Sequence, residues 1–303
     1  MGRSVRAAGS GGNYLAGHEE AAALWFNRAM QASSSLPETL RQARKARRLS
    51  QLELSLRIGV SQRHMSFVES GRAQPSRELL LAWLQALEAP LTVRNAALLQ
   101  AGFAPAYGAA PLGDPALNQA DAAMTQLLHA HDPMPALVLD AHWNLLRMNR
   151  GATWLALTLM PWAADLPPGT PMNMLDLLAH PDGFTPHIVN LHEVAPALMA
   201  HVRAEAAANP SLAARAEALA EAWGKRLGPA ITAAGWSPPV APVLTTRFAT
   251  SHGELAFFSM FTTFGTPQDI TLASLRVEHM FAADDVTRAV VRSRVPGAEA
   301  TGS

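Results

Sequence analysis

Leu36 to Gly102 reads LPETLRQARKARRLSQLELSLRIGVSQRHMSFVESGRAQPSRELLLAWLQALEAPLTVRNAALLQAG, and the punctuation at its centre decides the first part of the fold. Ser50 stands at a helix N-cap, where its hydroxyl accepts an amide without an intrahelical partner, and Glu53 can reach back to the Ser50 amide as a capping box. The helix so opened runs through Leu52, Leu54, Leu56 and Ile58 and breaks at Gly59, the residue type that takes positive φ cheaply. Val60 reads as a buried plug in the tight turn that follows. Ser61 caps a second helix, QRHMSFVES, whose Met65 and Val68 share one face. Gln62, Arg63 and Ser66 project from the polar face near its N-terminus, where a recognition helix meets base edges in the major groove. With its flanks, the stretch predicts an all-α domain of five short helices.

Charge supports the same reading locally, although the whole chain balances 24 basic against 24 acidic side chains. Between Leu36 and Glu78 nine basic residues (Arg41, Arg44, Lys45, Arg47, Arg48, Arg57, Arg63, Arg72, Arg77) face four acidic ones (Glu38, Glu53, Glu69, Glu78), a net of +5. The excess is confined to the segment that would meet phosphate. RQARKARR alone would read as a solvated helix face; followed by two capped helices at turn spacing, it reads as a DNA-binding surface.

This segment resembles the Cro-type helix-turn-helix domain of the Xre family of bacterial regulators, over all five helices. The resemblance implies a Gln opening each motif helix, here Gln51 and Gln62, bonded to each other or to phosphate and base. It also implies a pair between an Arg of the first helix and a late Glu of the recognition helix, here Arg44 and Glu69. ESGR, Glu69 to Arg72, resembles the family's recognition-helix ending, with Gly71 as the stop. Phe67 departs from the pattern by standing where members place a polar base contact; it has two readings, a thymine-methyl contact or inward packing. The DNA-binding set is therefore Arg44, Lys45, Gln51, Ser61, Gln62, Arg63, Ser66, Phe67 and Arg72.

At 303 residues the chain is about two domains long. No cysteine is present, which excludes disulfides and thiolate metal sites and agrees with a reducing cytoplasm. No run approaches the ~18 apolar residues a membrane span needs, and the N-terminus lacks an apolar signal core. The expected organisation is a partly disordered extension over 1–34, the helix-turn-helix domain over 35–103, a Pro/Gly/Ala linker over 104–114, a second domain over 115–291 and a disordered tail over 292–303. HEEAAALWFNRAMQ in the extension reads as a short helix, and Met30 as an alternative natural start.

Pro115 to Leu128 predicts an amphipathic helix, and PALVLDAHWNLLRMN a hairpin about Asp140-Ala141. Helices follow in RGATWLALTLM, NMLDLLAHPDG, Pro186 to Ala208 and Ser211 to Leu227. After the Pro-rich WSPPVAP come three strands, two in VLTTRFATSHGELAFFSMFTTFG and one in ITLASLRVEHMF. The sum is an α+β domain with a five-stranded antiparallel sheet and inserted helices. PALVLDAHWNLLRMN, MLDLLAHPDGFTPHIVNLHEVAPAL and TTFGTPQDITLASLRVEHMFAADD resemble the ligand-binding domain of MmyB-like transcription regulators, a PAS-like fold. Phe281-Ala282-Ala283-Asp284 departs from it where a Pro often follows the aromatic residue.

The resemblance implies a small, fatty-acid-like effector and no other cofactor. A cavity for one must be apolar and lightly polar at one end. Trp143, Leu145, Met148, Trp154, Leu175, Leu178, Phe258 and Met260 are the apolar lining candidates, each with plain core packing as its alternative. Asn149, His180, Asn190 and Arg247 are the polar ones, with a helix-end role as the alternative for His180.

Catalysis finds little support. His180, His187 and His192 cluster with Asp176, Asp182 and Glu193, but no HExxH, GxSxG or GxxxxGK[ST] pattern is present. An antitoxin also uses such a DNA-binding domain, and the large second domain argues against that. The expectation is a cytoplasmic, non-enzymatic transcription regulator that binds an operator as a homodimer, because one helix-turn-helix reads only a few base pairs. The alternative is a regulator whose second domain is a dimerisation module with only a structural lipid.

Overall fold

The computed structural model describes residues 35–228 and 243–295. The N-terminal extension with its expected helix, Met30, the WSPPVAP stretch and the last eight residues of the tail lie outside the described residues. The chain divides into two compact units, the first running to Tyr107 and including Ala207–Asn209, the second made of Gly108–Ala206 and the residues from Pro210 onward.

The first unit contains α1 (Leu36–Ala46), α2 (Gln51–Ile58), α3 (Gln62–Glu69), α4 (Arg77–Ala86) and α5 (Leu91–Gln100). Local chemistry places the boundaries. The capping box at the start of α2 is complete, with Glu53 N donating to Ser50 Oγ at 3.1 Å and Ser50 N to Glu53 Oε2 at 2.7 Å. Gly59 ends α2 at φ 70°, and the Ser61 and Ser76 hydroxyls cap α3 and α4 by accepting from His64 N and Leu79 N. Leu40, Leu54, Met65, Val68, Trp83 and Leu98 form the core. Each such aliphatic side chain stabilises the unit by ~1.5–3 kcal/mol on burial. Val60 is half-buried against this cluster. Leu52 and Leu56 stay exposed, because an alternating apolar run on a 3.6-residue helix can turn only one pair, Leu54 and Ile58, inward.

The expected linker is not free chain. Asn95 of α5 accepts from Ala106 N and Tyr107 N and donates to Tyr107 O at 2.8 Å, folding that end onto the first unit. Within the second unit, Ile270 N donates to Gly108 O at 2.8 Å and Ala110 N to Asp269 Oδ2 at 3.0 Å.

The second unit follows a 3-10 turn at Pro115–Leu117 with α6 (Asn118–His131), β1 (Ala136–Leu139), β2 (Asn144–Met148), α7 (Arg150–Leu159), β3 (Met172–Asn173), α8 (Met174–Ala179), α9 (Leu191–Ala208) and α10 (Ala213–Leu227). Then come β4 (Thr245–Thr250), β5 (Gly253–Thr262), α11 (Ile270–Ser274), β6 (Arg276–Ala282) and α12 (Asp285–Arg294). The strands form one antiparallel sheet in the order β3-β2-β1-β6-β5-β4. It has six strands rather than five, since Met172 and Asn173 pair with Leu145 and Asn144 in a ladder too short for any periodicity to announce.

The boundaries of α9, α11 and α12 differ from expectation for local reasons. Asp269 caps α11 by accepting from Thr271 N, so ITLAS is helical and only Arg276 onward is strand. The helix expected from Pro186 starts at Leu191, because Thr185–His187 is a 3-10 turn and Ile188 bridges to Phe248. Position 292 does not begin a tail: Asp284 caps α12, the helix runs through Arg294, and Val295 is buried.

The sheet buries two different faces. Leu137 and Leu139 of β1 and Leu255 and Phe257 of β5 join the large core under α7, α8, α9 and α10. Ala136, Val138 and Val277 point the other way, into a smaller cluster with Met124 and Leu128 of α6 and Leu275. Gly151 allows α7 to start against the 133–134 backbone; an added Cβ there would lie 2.2 Å from Pro133 O.

Candidate nucleic-acid interface and ligand site

In the first unit the last turn of α1 is bolted to the last residue of α3. Arg44 Nε donates to Glu69 Oε1 at 2.7 Å and Arg44 Nη2 to Glu69 Oε2 at 2.8 Å, both side chains being buried. Arg44 Nη1 donates to Leu49 O at 2.7 Å, and Gln51 Nε2 adds a third donor to Glu69 at 2.8 Å. The network is saturated, as a buried ion pair must be to offset desolvation. One DNA-binding assignment is thereby corrected, since Arg44 is shielded from solvent, and half-buried Gln51 commits one amide hydrogen to Glu69. Both hold α3 in place.

Gln62 and Arg63 stand exposed on the first turn of α3, beside the exposed cap Ser61, while Ser66 and Phe67 are half-buried. The Arg63 guanidinium lies 5.4 Å from the Phe67 ring centroid, so the ring supports the arginine from below. Gly71, at φ 72°, turns the chain out of α3, and Arg72 N donates to Phe67 O at 2.8 Å with its side chain exposed.

The acidic residues near the motif are tied up. Hydrogen bonds from the Ser50 amide and hydroxyl hold the Glu53 carboxyl below its ordinary range, and its own amide and Ser76 do the same for Glu78. Glu69 is buried under Arg44, and Glu38 is paired with Arg41 and Gln42. Lys45, Arg48, Arg57, Arg63 and Arg72 remain exposed, a cationic set suited to phosphate.

The expected ligand residues of the second unit do not form one lining. Trp143, Leu175 and Leu178 are in the large core, and Leu145, Met148 and Trp154 are half-buried against it. Phe258 and Met260 are corrected: β5 turns Leu255 and Phe257 into that core, so the alternate positions 258 and 260 lie on the opposite face. Phe258 stacks there on Phe281 at 5.4 Å, and Met260 is exposed.

The polar candidates are engaged elsewhere. Asn149 Oδ1 accepts from Ala136 N and Ala152 N at 2.9 Å while its Nδ2 donates to Met134 O at 2.8 Å, joining β1 to the start of α7. Asn190 accepts from Arg247 N at 2.9 Å and donates to Thr245 O and Glu193 Oε2. Exposed His180 accepts from Asp182 N at 3.0 Å, the helix-end role, and Arg247 pairs with Glu254 at 3.0 Å. Met148, Asn149 and Trp154 do meet Leu157, Arg150 and Arg294 around an open groove of about 380 Å³.

A different polar cluster lies at the edge of the large core. Trp143, at φ 64°, swings its ring from the β1–β2 hairpin so that Nε1 donates to Glu205 Oε2 of α9. Arg276 of β6 donates through Nη1 to Glu205 Oε1 and lies 4.2 Å from the Trp143 ring centroid, with Phe261 at 5.9 Å. His201, one turn before Glu205, comes within 3.1 Å of the same carboxylate. Burial opposes ionisation of Glu205, but the His201 hydrogen bond and the Arg276 charge outweigh it and bring its pKa down to about 2. Arg276 Nε and Nη2 are buried with no acceptor among the described residues. The i, i+4 spacing of His201 and Glu205 and the arginine opening the strand RVEHMFA were the sequence signals for this cluster.

Among the described residues no group of three His, Cys, Asp or Glu side chains converges to hold a metal ion, and no helix is long and apolar enough to cross a membrane. The family described as MmyB-like transcription regulator ligand binding domain matches residues 120–293, more than half of the chain, and the family described as Helix-turn-helix matches residues 40–93. No curated protein matches the chain.

Proposed function

The chain belongs to the MmyB-like transcription regulators, joining an Xre-type helix-turn-helix to their ligand-binding domain, and from that premise we propose that it reads a specific operator as a homodimer and answers to a small hydrophobic effector, fatty-acid-like in character. The observation that carries the DNA half is the saturated Arg44–Glu69–Gln51 network, which fixes α3 with Gln62 and Arg63 exposed at its first turn. Arg63 is the base-reading residue, for a guanidinium braced on an aromatic ring is preorganised for a guanine edge. Lys45 and Arg72 neutralise phosphate and set register. The second unit supplies the dimer surface and the effector site. Its extensive apolar core and aromatic-flanked polar cluster support an effector with a nonpolar body and one polar end.

Selection of bound sites from a random duplex pool tests this reading, followed by competition between the selected site and a scrambled one. Enrichment of one sequence, arranged as two half-sites a helical turn apart, is the expected result. Equal binding to all duplexes would overturn it.

A further inference from the structure

Of the three apolar side chains of α3, Met65 and Val68 are buried and Phe67 is only half-buried. Among the described residues, the apolar cluster that takes in Met65 and Val68 does not include the Phe67 ring. The ring lies instead on the side of Arg63, one turn earlier, with the guanidinium 5.4 Å from its centroid. Its main chain is pinned, for Phe67 O accepts from Arg72 N at 2.8 Å and from Ala73 N and Ser70 Oγ at 3.2 Å. An aromatic ring is thus fixed beside the exposed Arg63, on the helix that offers Gln62 and Arg63 to base edges. A phenyl ring has no hydrogen-bonding atom, so it tells bases apart only by their apolar groups. On the major-groove edges of the four bases that group is the C5 methyl of thymine.

We propose that Arg63 and Phe67 act as one unit that reads a C5-methylated pyrimidine next to a guanine. Arg63 bonds guanine O6 and N7, and the methyl of the neighbouring base packs in the corner between the ring and the guanidinium plane. The proposal rests on the reading of α3 as the operator-reading helix and names the base step that it selects. A ring and a guanidinium in contact reach neighbouring bases, which follow each other every ~3.4 Å along a strand. The guanidinium keeps its donors at its edge and is weakly hydrated, so a methyl laid against its face costs it no hydrogen bond. Thymine and 5-methylcytosine carry the same methyl, so affinity for the operator responds to methylation of a cytosine at this position.

Fluorescence anisotropy of the full chain on the selected operator tests this, with thymines replaced one at a time by uracil, which removes the C5 methyl alone. One thymine in each half-site, beside a guanine, is expected to lose about 4-fold on replacement, the worth of one buried methyl group. At the same position 5-methylcytosine is expected to bind about 4-fold tighter than cytosine. In Phe67→Ala both discriminations are expected to vanish. A ring that only braces Arg63 would weaken every duplex alike in Phe67→Ala and leave the ratios unchanged, which overturns the assignment. An operator in which no uracil replacement weakens binding, or whose sensitive thymine has no guanine beside it, overturns it too. If Phe67→Ala does not fold, the wild-type ratios decide alone. Failure to select any sequence overturns the operator reading and this assignment with it, whereas a selected operator without a methyl-sensitive thymine overturns this assignment only.

Discussion

The Arg44 guanidinium and the Glu69 carboxylate meet along two parallel hydrogen bonds, at 2.7 and 2.8 Å, with both side chains buried in the first unit. Removing either partner strands a charge away from water. Glu69→Gln is expected to destabilise the first unit by ~3–5 kcal/mol, the usual cost of breaking a buried pair from one side. Denaturant unfolding followed by far-UV circular dichroism measures it. A loss below ~1 kcal/mol, the range of exposed pairs, would mean that water reaches the pair.

Arg63→Ala is expected to cost ~1–3 kcal/mol on the selected operator and far less on scrambled DNA, as a bidentate base contact requires. Lys45→Ala is expected to weaken both duplexes alike and to reduce the steepness of the salt dependence by ~0.9. Competition binding across a salt series separates the two residues. Equal losses on both duplexes for Arg63→Ala would assign it to phosphate.

Glu205 gives the second unit an acid-sensitive contribution. Its pKa falls from 4.5 to about 2 in the folded chain, so the folded state favours the carboxylate. The stabilisation is complete above the unfolded value and is lost as pH falls through 4.5 towards 2. Glu205→Gln is expected to remove on the order of 2–3 kcal/mol at neutral pH and to flatten the acid limb of the stability curve. Thermal unfolding of both proteins between neutral pH and pH 3 checks it, and parallel acid limbs would contradict it.

Gly183 sits where a Cβ would fall 1.9 Å from Leu177 O. Gly183→Ala must therefore push the turn after α8 away from the helix. A destabilisation of ~1–3 kcal/mol, the range of overpacked sites, is expected in denaturant unfolding. An unchanged midpoint would show that the turn relaxes freely.

The first unit was legible in the sequence because its boundaries are written in neighbouring residues. Ser50, Glu53, Gly59 and Ser61 each act within a few positions, and the structure bears out every one of these caps and stops. The Arg44–Glu69 pair, 25 residues apart, came through family resemblance and not through any local signal. In the second unit the helices α6 to α10 and the hairpin about Asp140 were readable, whereas α11 was expected as strand and α12 was not foreseen. The facing of β5 was not, since Phe257 and Phe258 are equally apolar and only the sheet's register decides which one enters the core. Asn149 and Asn190 looked like ligand groups because a side-chain amide that serves the main chain and one that waits for a ligand are the same letters. Arg276 and Glu205 stand 71 residues apart, joined only after β6 is inserted between β1 and β5 and α9 is laid against the sheet.

The central claim is that one chain couples a small molecule to DNA, and the most direct measurement is a reciprocal titration. Affinity for the selected operator is measured by fluorescence anisotropy with and without saturating octanoate, and octanoate affinity by calorimetry with and without operator. An effector shifts such an equilibrium only through unequal affinity for its two states, and linkage makes the two changes equal. The account predicts a matching change in both directions of ~5- to 150-fold, the range for a coupling of ~1–3 kcal/mol. Octanoate bound with the same affinity whether or not operator is present would contradict it and leave the second unit as a structural partner of the DNA-binding domain.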